Sequence, residues 1–136
     1  KPGEGAMRMR AVGFPVIAIL GLSTTMAALA HHSQSEFDGR STVEVSGTVT
    51  ELVWKRPHAW IYMDVVGEDG STVNWGFELP SPTTLMRRGW SRKSLEPGDV
   101  ISVTGAPARN HPGIGLARTV TDAEGNGLFT GITEVN

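Results

Sequence analysis

Residues 42–53 alternate between two kinds of side chain, and this alternation constrains the fold more than any other feature. Valine or glycine stands at every second position from Val43 to Val49, and the same face continues to Val53. A period of two with β-branched residues is typical of a strand with one buried face. The pattern therefore predicts a β-strand whose valine side faces a core and which ends at Lys55-Arg56-Pro57.

Further segments with the same alternation follow along the chain. The turn Gly67-Glu68-Asp69-Gly70 is rich in residues that tolerate positive φ, so it joins the first two of these segments into a hairpin. The predicted strands are 59–66, 71–79, 100–105 and 116–121, with a short return at 128–132.

One short helix is expected between the third and fourth strands. Ser81 is a good N-cap, Pro82 suits the first helical position, and Gly89 ends the two turns at 83–88. An oligonucleotide/oligosaccharide-binding (OB) barrel has this order of elements, with three strands, one helix and then two further strands. The sequence thus predicts an all-β domain at 42–136, a small five-stranded OB-like barrel, after an N-terminal arm at 31–41. Another small barrel or a sandwich fragment is the alternative.

The N-terminal residues have the organisation of a secretion signal. Arginines follow both methionines of 7–10, an apolar run occupies 11–22, and Ala28-Leu29-Ala30 has the spacing of a cleavage site. We expect 1–30 to be a signal peptide with upstream residues, a mature protein that is periplasmic or secreted, and membrane contact only before cleavage. An uncleaved anchor is the alternative, although a spanning helix needs about 20 apolar residues.

Composition excludes disulfide bonds and argues against a nucleic-acid partner. The chain has no cysteine, so the core must stabilise the domain without disulfides. The predicted mature chain keeps nine basic and thirteen acidic residues, a formal charge of about −4. This mild acidity argues against a nucleic-acid partner, which usually requires a basic face.

Three of the four histidines form the candidate metal site. Cleavage after Ala30 would make His31 the N-terminal residue, and its amine and imidazole could then chelate one ion. With His32 and His58 as further ligands, the site would be rich in nitrogen and suited to copper as Cu(II). The alternatives are a solvated tail at 31–32 and a loop-capping role for His58. His111, in a glycine-rich loop, is left out of the site.

Aromatic and charged residues suggest a surface for an unknown protein or small-molecule partner. Trp60 and Tyr62 share the strand face opposite Ile61, where ligands of OB-like barrels usually dock. Burial of both faces is the alternative, and the cations at the helix end have a simpler account in the helix dipole. The predicted partner surface comprises Trp60, Tyr62, Trp75, Glu78, Arg87, Arg88 and Trp90.

Several short motifs together resemble a family of small exported bacterial proteins of unknown function. The resemblance covers nearly all of the predicted mature chain and implies export and a compact β fold, but no activity. Small periplasmic OB-barrel copper chaperones are a looser comparison, and their methionine-rich ligand set is missing here. The motifs include His31-His32-Ser33, Pro57-His58-Ala59-Trp60, Trp75-Gly76-Phe77-Glu78-Leu79 and Arg87-Arg88-Gly89-Trp90.

These observations favour a binding module over an enzyme, because no nucleophile elbow or phosphate loop is present. The first hypothesis is an exported module that binds copper through an N-terminal histidine. The second is a metal-free interaction module that holds a peptide, glycan or lipid-like partner on its aromatic face. A hydrolase or oxygenase is a distant third.

Overall fold

The computed structural model describes residues 36–131, which form six strands and one helix. No helix in this part of the chain is long and apolar enough to cross a membrane. The elements are β1 (Val43–Val53), β2 (Trp60–Val66), β3 (Thr72–Glu78), α1 (Pro82–Arg87), β4 (Val100–Pro107), β5 (Ile114–Asp122) and β6 (Gly127–Thr130).

The strands close into a barrel. Antiparallel pairing gives the order β3-β2-β1-β4-β5-β6, and a parallel pairing of β3 with β5 joins the sheet into a ring of five strands. That closing pair runs from Gly76 opposite Ile114 to Glu78 opposite Leu116. The short β6 adds to β5 outside the ring. The predicted all-β, five-stranded OB-like barrel with one helix between strands three and four is confirmed.

The helix forms where the local sequence predicts it. The Ser81 hydroxyl accepts a hydrogen bond from the backbone N–H of Thr84, and Pro82 occupies the first turn. These contacts satisfy a free donor at the helix N-terminus and preset the backbone angle of its first residue. Leu85 is fully buried among the core residues, whereas the neighbouring Met86 is 55% exposed. The helix therefore closes one end of the barrel with the buried side chains of Pro82 and Leu85.

The first strand departs from the predicted alternation halfway along its length. Val49 is buried as expected, but a bulge between Val49 and Glu51 shifts the register against β2. Leu52 then packs against the core, and Glu51 is exposed. The expectation that the valine face continues to Val53 is wrong, because one extra residue in a bulge moves every later side chain to the other face.

The core fills the inside of the barrel. Alternate residues of the strands point inward, as period-two strands require, and side chains of this size gain about 1.5–3 kcal/mol each on full burial. The largest fully buried side chains are Phe77, Ile61, Met63, Leu79, Leu85, Ile101, Val49, Val103 and Val120.

The described part of the N-terminal arm is attached to the barrel. Phe37 is buried and forms an isolated antiparallel bridge with Ala108, just after β4. The Arg118 guanidinium on β5 donates to the carbonyl oxygens of Gly39 and Ser41. The arm predicted at 31–41 thus has an ordered apolar contact within its described residues, and its chain direction before β1 is fixed by these contacts.

Candidate functional site

The hairpin of β2 and β3 brings a histidine and a glutamate together at one end of the barrel. The hairpin pairs Trp60 with Glu78, and backbone hydrogen bonds between Ala59 and Leu79 (2.9 Å) and between Ala59 and Pro80 (3.3 Å) continue the pairing beyond the strands. His58 lies two residues before Trp60. Because side chains two positions apart share a strand face, His58 and Glu78 can meet.

The two side chains form a short contact. His58 Nδ1 lies 2.6 Å from Glu78 Oε1, and the His58 side chain is 37% exposed whereas that of Glu78 is 8% exposed. The distance is short enough for the imidazole to donate through Nδ1 to the Glu78 carboxylate, which is almost out of contact with solvent. A hydrogen bond at Nδ1 fixes the ring orientation and leaves Nε2 as the nitrogen free to bind a ligand.

Burial dominates the electrostatics of this pair. It raises the pKa of the Glu78 carboxyl above its ordinary value, because removal from water disfavours the charged form. The nearby His58 opposes this change, and the negative charge of Glu36 adds to it. The charge of Glu36, at the start of the described arm, is therefore within range of an electrostatic interaction with Glu78.

Two aromatic rings lie on the same strand face as the pair. Trp60 and Tyr62 stack with ring centroids 6.2 Å apart and planes inclined by 16°, and both residues are half-buried. A stacked pair at this distance is a favourable aromatic geometry. The face predicted for Trp60 and Tyr62 is thus present, with each ring partly accessible.

Trp75 belongs to the other face. It pairs with the buried Met63 across the hairpin and stacks on Phe77 at 5.5 Å with planes inclined by 11°. Cross-strand partners point to the same side of a sheet, so Trp75 packs against the core and not beside Trp60. The structure does not bring Trp75 into the aromatic face that the sequence suggested for it.

The residues at the helix end are attached to β6. Trp90 is 7% exposed, and its Nε1 donates to the carbonyl oxygen of Leu128. The Arg88 guanidinium lies 5.6 Å from the Phe129 ring centroid and donates to the carbonyl oxygen of Thr130. Arg87 is exposed in the last turn of α1. Arg88 and Trp90 thus contact β6, whereas Arg87 lies on α1.

The predicted metal ligands are only partly within the described chain. His31 and His32 lie outside the described residues, and His111 is exposed in the loop before β5. Within residues 36–131 no group of three or more His, Cys, Asp or Glu side chains could hold a metal ion. Of the predicted ligands, the structure places only His58, and it places it against Glu78.

The pairing of His58 with Glu78 was missed at the level of sequence, although each residue was singled out on its own. The available signal was the hairpin register. A tight turn centred near Asp69 pairs Trp60 with Glu78, and His58 shares the face of Trp60 by the period of two.

The fold has distant likenesses among solved structures. A crystal structure of TiaS in complex with a tRNA and ATP is 17% identical over 63% of this chain and 19% of that chain, with a TM-score of 0.45. The ZRD-deleted mutant of TiaS in complex with agmatine is 18% identical over 62% of this chain and 22% of that chain, with a TM-score of 0.42. The chain thus spans about a fifth of the length of these proteins, and the likeness is too low to say anything about its activity.

No curated protein matches the chain. The model of a protein family matches residues 20–117, and this stretch includes β1 to β4, α1 and the His58–Glu78 pair. The chain belongs to the family of unknown function DUF6152.

Proposed function

We propose that this protein is an exported metal-binding module that holds copper with His58 as one ligand. The observation that carries the proposal is the 2.6 Å contact between His58 Nδ1 and the buried carboxylate of Glu78. Histidines that bind metals usually donate their other ring N–H to a carboxylate or carbonyl, which orients the ring and makes the free nitrogen a better ligand. Here Nε2 is that nitrogen.

The remaining ligands would come from the residues that precede Glu36. Cleavage after Ala30 would give His31 a free amine, and an amine with an imidazole forms a nitrogen chelate suited to Cu(II). His32 would add a further imidazole. Residues 36–131 contain no complete group of metal-binding side chains, so the proposal requires ligands from the residues before Glu36.

The position of Glu36 supports this ligand set. Glu36 is near enough to raise the pKa of Glu78, and its carbonyl oxygen accepts a 2.9 Å hydrogen bond from the backbone of Arg109. The five residues from His31 to Ser35 can extend over roughly 17 Å at most, given about 3.3 to 3.6 Å for each residue. The proposal requires a chain of this length to bring His31 or His32 back to the Nε2 of His58.

Copper titration of matched variants tests the proposal. The full chain is expressed in a bacterium, recovered from the periplasm, and titrated with Cu(II) while the d–d absorption band is followed. His58→Ala should weaken binding strongly, whereas His111→Ala, which removes an exposed histidine of another loop, should leave it unchanged. Equal binding by the His58 and His111 variants would refute the role of His58.

The cleavage position needs its own measurement. The mass of the recovered protein, with and without copper, gives the mature N-terminus and the metal stoichiometry together. An extra Ala placed before His31 should weaken Cu(II) binding, because it separates the free amine from the imidazole. If the extended protein binds Cu(II) as well as the original does, the N-terminal chelate is wrong.

A second candidate is a metal-free interaction module, favoured by the stacked and half-buried pair Trp60 and Tyr62. Such a surface suits a peptide, glycan or lipid-like partner, because aromatic rings give large contact areas at low entropic cost. Cross-linking in a periplasmic extract, with a chelator present, tests it. Trp60→Ala and Tyr62→Ala should each abolish the cross-linked product, and retention of the product in both variants would exclude this surface.

A further inference from the structure

A separate cavity lies at the end of the barrel that α1 closes. It has a volume of about 580 Å³, and its lining includes Trp54, Met86, Trp90, Arg92 and Lys93. This volume falls within the range of about 300–1,000 Å³ that small-molecule sites occupy. The cavity shares no lining residue with the His58–Glu78 pair, so the inference drawn from it does not rest on the copper proposal.

The floor and one wall of the cavity are apolar. Trp54 is half-buried and packs against the core, and Trp90 is almost fully buried. Met86 stands on α1 directly after the buried Leu85 but is itself 55% exposed. Methionine is flexible and polarizable, and it is common at binding surfaces that accept apolar ligands. The cavity therefore offers apolar contact area that no described part of the chain covers.

The rim of the cavity is positively charged. Arg92 and Lys93 are exposed, and neither forms an ion pair with a described residue. The whole segment from Leu79 to Leu95 contains no acidic residue. A further cation, Arg56, is held at this end of the barrel by a 3.0 Å hydrogen bond from its guanidinium to Thr83 on α1.

This basic end contrasts with the acidic balance of the chain, whose formal net charge is −2. Like charges that lie together without counter-ions repel one another, and an anionic ligand would relieve that repulsion. An apolar floor beside such a rim complements a molecule with an apolar body and an anionic head.

We infer that the cavity binds an amphiphilic anion, a free carboxylate with an acyl chain, with the chain on Trp54 and Met86 and the head group at Arg92 and Lys93. The apolar contacts supply the affinity, because burial of an acyl chain removes apolar surface from water. The cations supply selectivity for a charged head over a neutral one.

Decanoate is the probe, used below its micellar concentration with the full chain recovered as for the copper titration. Binding is followed by isothermal titration calorimetry and by tryptophan fluorescence, with 1-decanol as the neutral analogue of the same chain length. Decanoate should bind about tenfold more tightly than 1-decanol, since modest ionic contacts of two cations amount to about that factor. Equal binding of the two compounds would overturn the role of the cations.

Matched variants locate the site. The double variant Arg92→Glu with Lys93→Glu should weaken decanoate binding about tenfold or more and leave 1-decanol binding unchanged. Arg40→Glu, which reverses an exposed cation in the arm before β1, is the control and should leave both unchanged. Thermal unfolding of each variant shows that the barrel persists. If the control variant weakens binding as much as the double variant does, the effect is general charge and the site is wrong.

Two further results would overturn the inference. One is the absence of decanoate binding to the unmodified protein. The other is sedimentation with phosphatidylglycerol vesicles without binding of free decanoate, which would identify the basic end as a contact for a bilayer surface. The double variant should lose decanoate binding and keep Cu(II) binding. This result would separate the site from the proposed copper site, as the inference requires.

Discussion

The indole Nε1 of Trp90 donates a 2.7 Å hydrogen bond to the carbonyl oxygen of Leu128. This bond joins the loop after α1 to β6, across 38 residues of sequence. The Trp90 ring also meets Phe129 edge-on, with ring centroids 6.0 Å apart. Trp90 therefore connects the helix that closes the barrel to the strand outside the ring.

Trp90→Phe should destabilise the barrel by about 1–3 kcal/mol, because it keeps an aromatic ring but leaves the Leu128 carbonyl without its indole donor. Urea unfolding followed by circular dichroism measures this loss. Arg92→Ala, two residues away at an exposed position, should change stability by less than about 0.5 kcal/mol. Equal stability of Trp90→Phe and the unaltered protein would show that the hydrogen bond contributes nothing.

Leu85 and Met86 are neighbours on α1 with opposite environments, since Leu85 is fully buried and Met86 is 55% exposed. Leu85→Ala should destabilise the domain by about 2–5 kcal/mol, because it leaves a cavity where the helix closes the barrel. Met86→Ala should cost less than about 0.5 kcal/mol, as exposed substitutions usually do. Comparable losses in the two variants would contradict the assignment of Leu85 as the residue that closes the barrel end.

The local elements of this fold were predictable from sequence because their signals are local. The valines at alternate positions from Val43 to Val49 specify a strand face, and Ser81 with Pro82 specifies the start of a helix. Each signal acts through contacts within a few residues. The order of these elements then sufficed for the barrel architecture, because few small folds place a single helix between strands three and four.

The tertiary features were not predictable in the same way. The bulge between Val49 and Glu51 depends on how β1 fits β2, which the residues of β1 alone do not specify. The attachment of Arg88 and Trp90 to β6 depends on contacts over about forty residues. The sequence pattern placed Trp75 on the partner surface, although its register opposite Met63 turns it inward.

The candidate site was predictable from the sequence only in part. His58 and Glu78 were each noticed as chemical groups, but their contact needed the register of the β2–β3 hairpin. That register follows from the turn at 67–70, so the pair was within reach of sequence reasoning. The burial of Glu78 was not predictable, because its low exposure depends on the neighbouring elements.

At Gly47, β1 passes close to the backbone of β2. A Cβ at this position would overlap the carbonyl oxygen of Asp64, a backbone atom that cannot rotate away. Gly47→Ala should therefore force the two strands apart and destabilise the domain by at least about 1–3 kcal/mol, the usual cost of overpacking. The midpoint of thermal unfolding checks this expectation.

Gly127→Ala is the matched control for Gly47→Ala, since Gly127 also lies in a strand but a Cβ there would meet no atom within 4 Å. Its unfolding midpoint should stay close to that of the unaltered protein. If Gly47→Ala is as stable as Gly127→Ala, β1 and β2 do not approach each other closely at Gly47.

The turn between β5 and β6 should make stability depend on acid pH through Asp122. A side-chain hydrogen bond from Asn126 lowers the pKa of Asp122 below its ordinary value of 3.8, and backbone N–H groups of the turn add to the effect. Because the folded state then holds its proton less tightly than the unfolded state, this contribution to stability is present above pH 3.8 and is lost as pH falls through the folded pKa.

Asn126→Ala should return the pKa of Asp122 toward 3.8, because it removes the Nδ2 donor that lies 2.8 Å from Asp122 Oδ2. Carbon-detected NMR titration of the carboxyl groups measures the change. Asp69, whose pKa is lowered by hydrogen bonds from Ser71 in the β2–β3 turn, is an internal control and should not move. An unchanged Asp122 would show that the backbone donors alone hold its pKa down, and an equal rise at Asp69 would point to general loosening of the barrel.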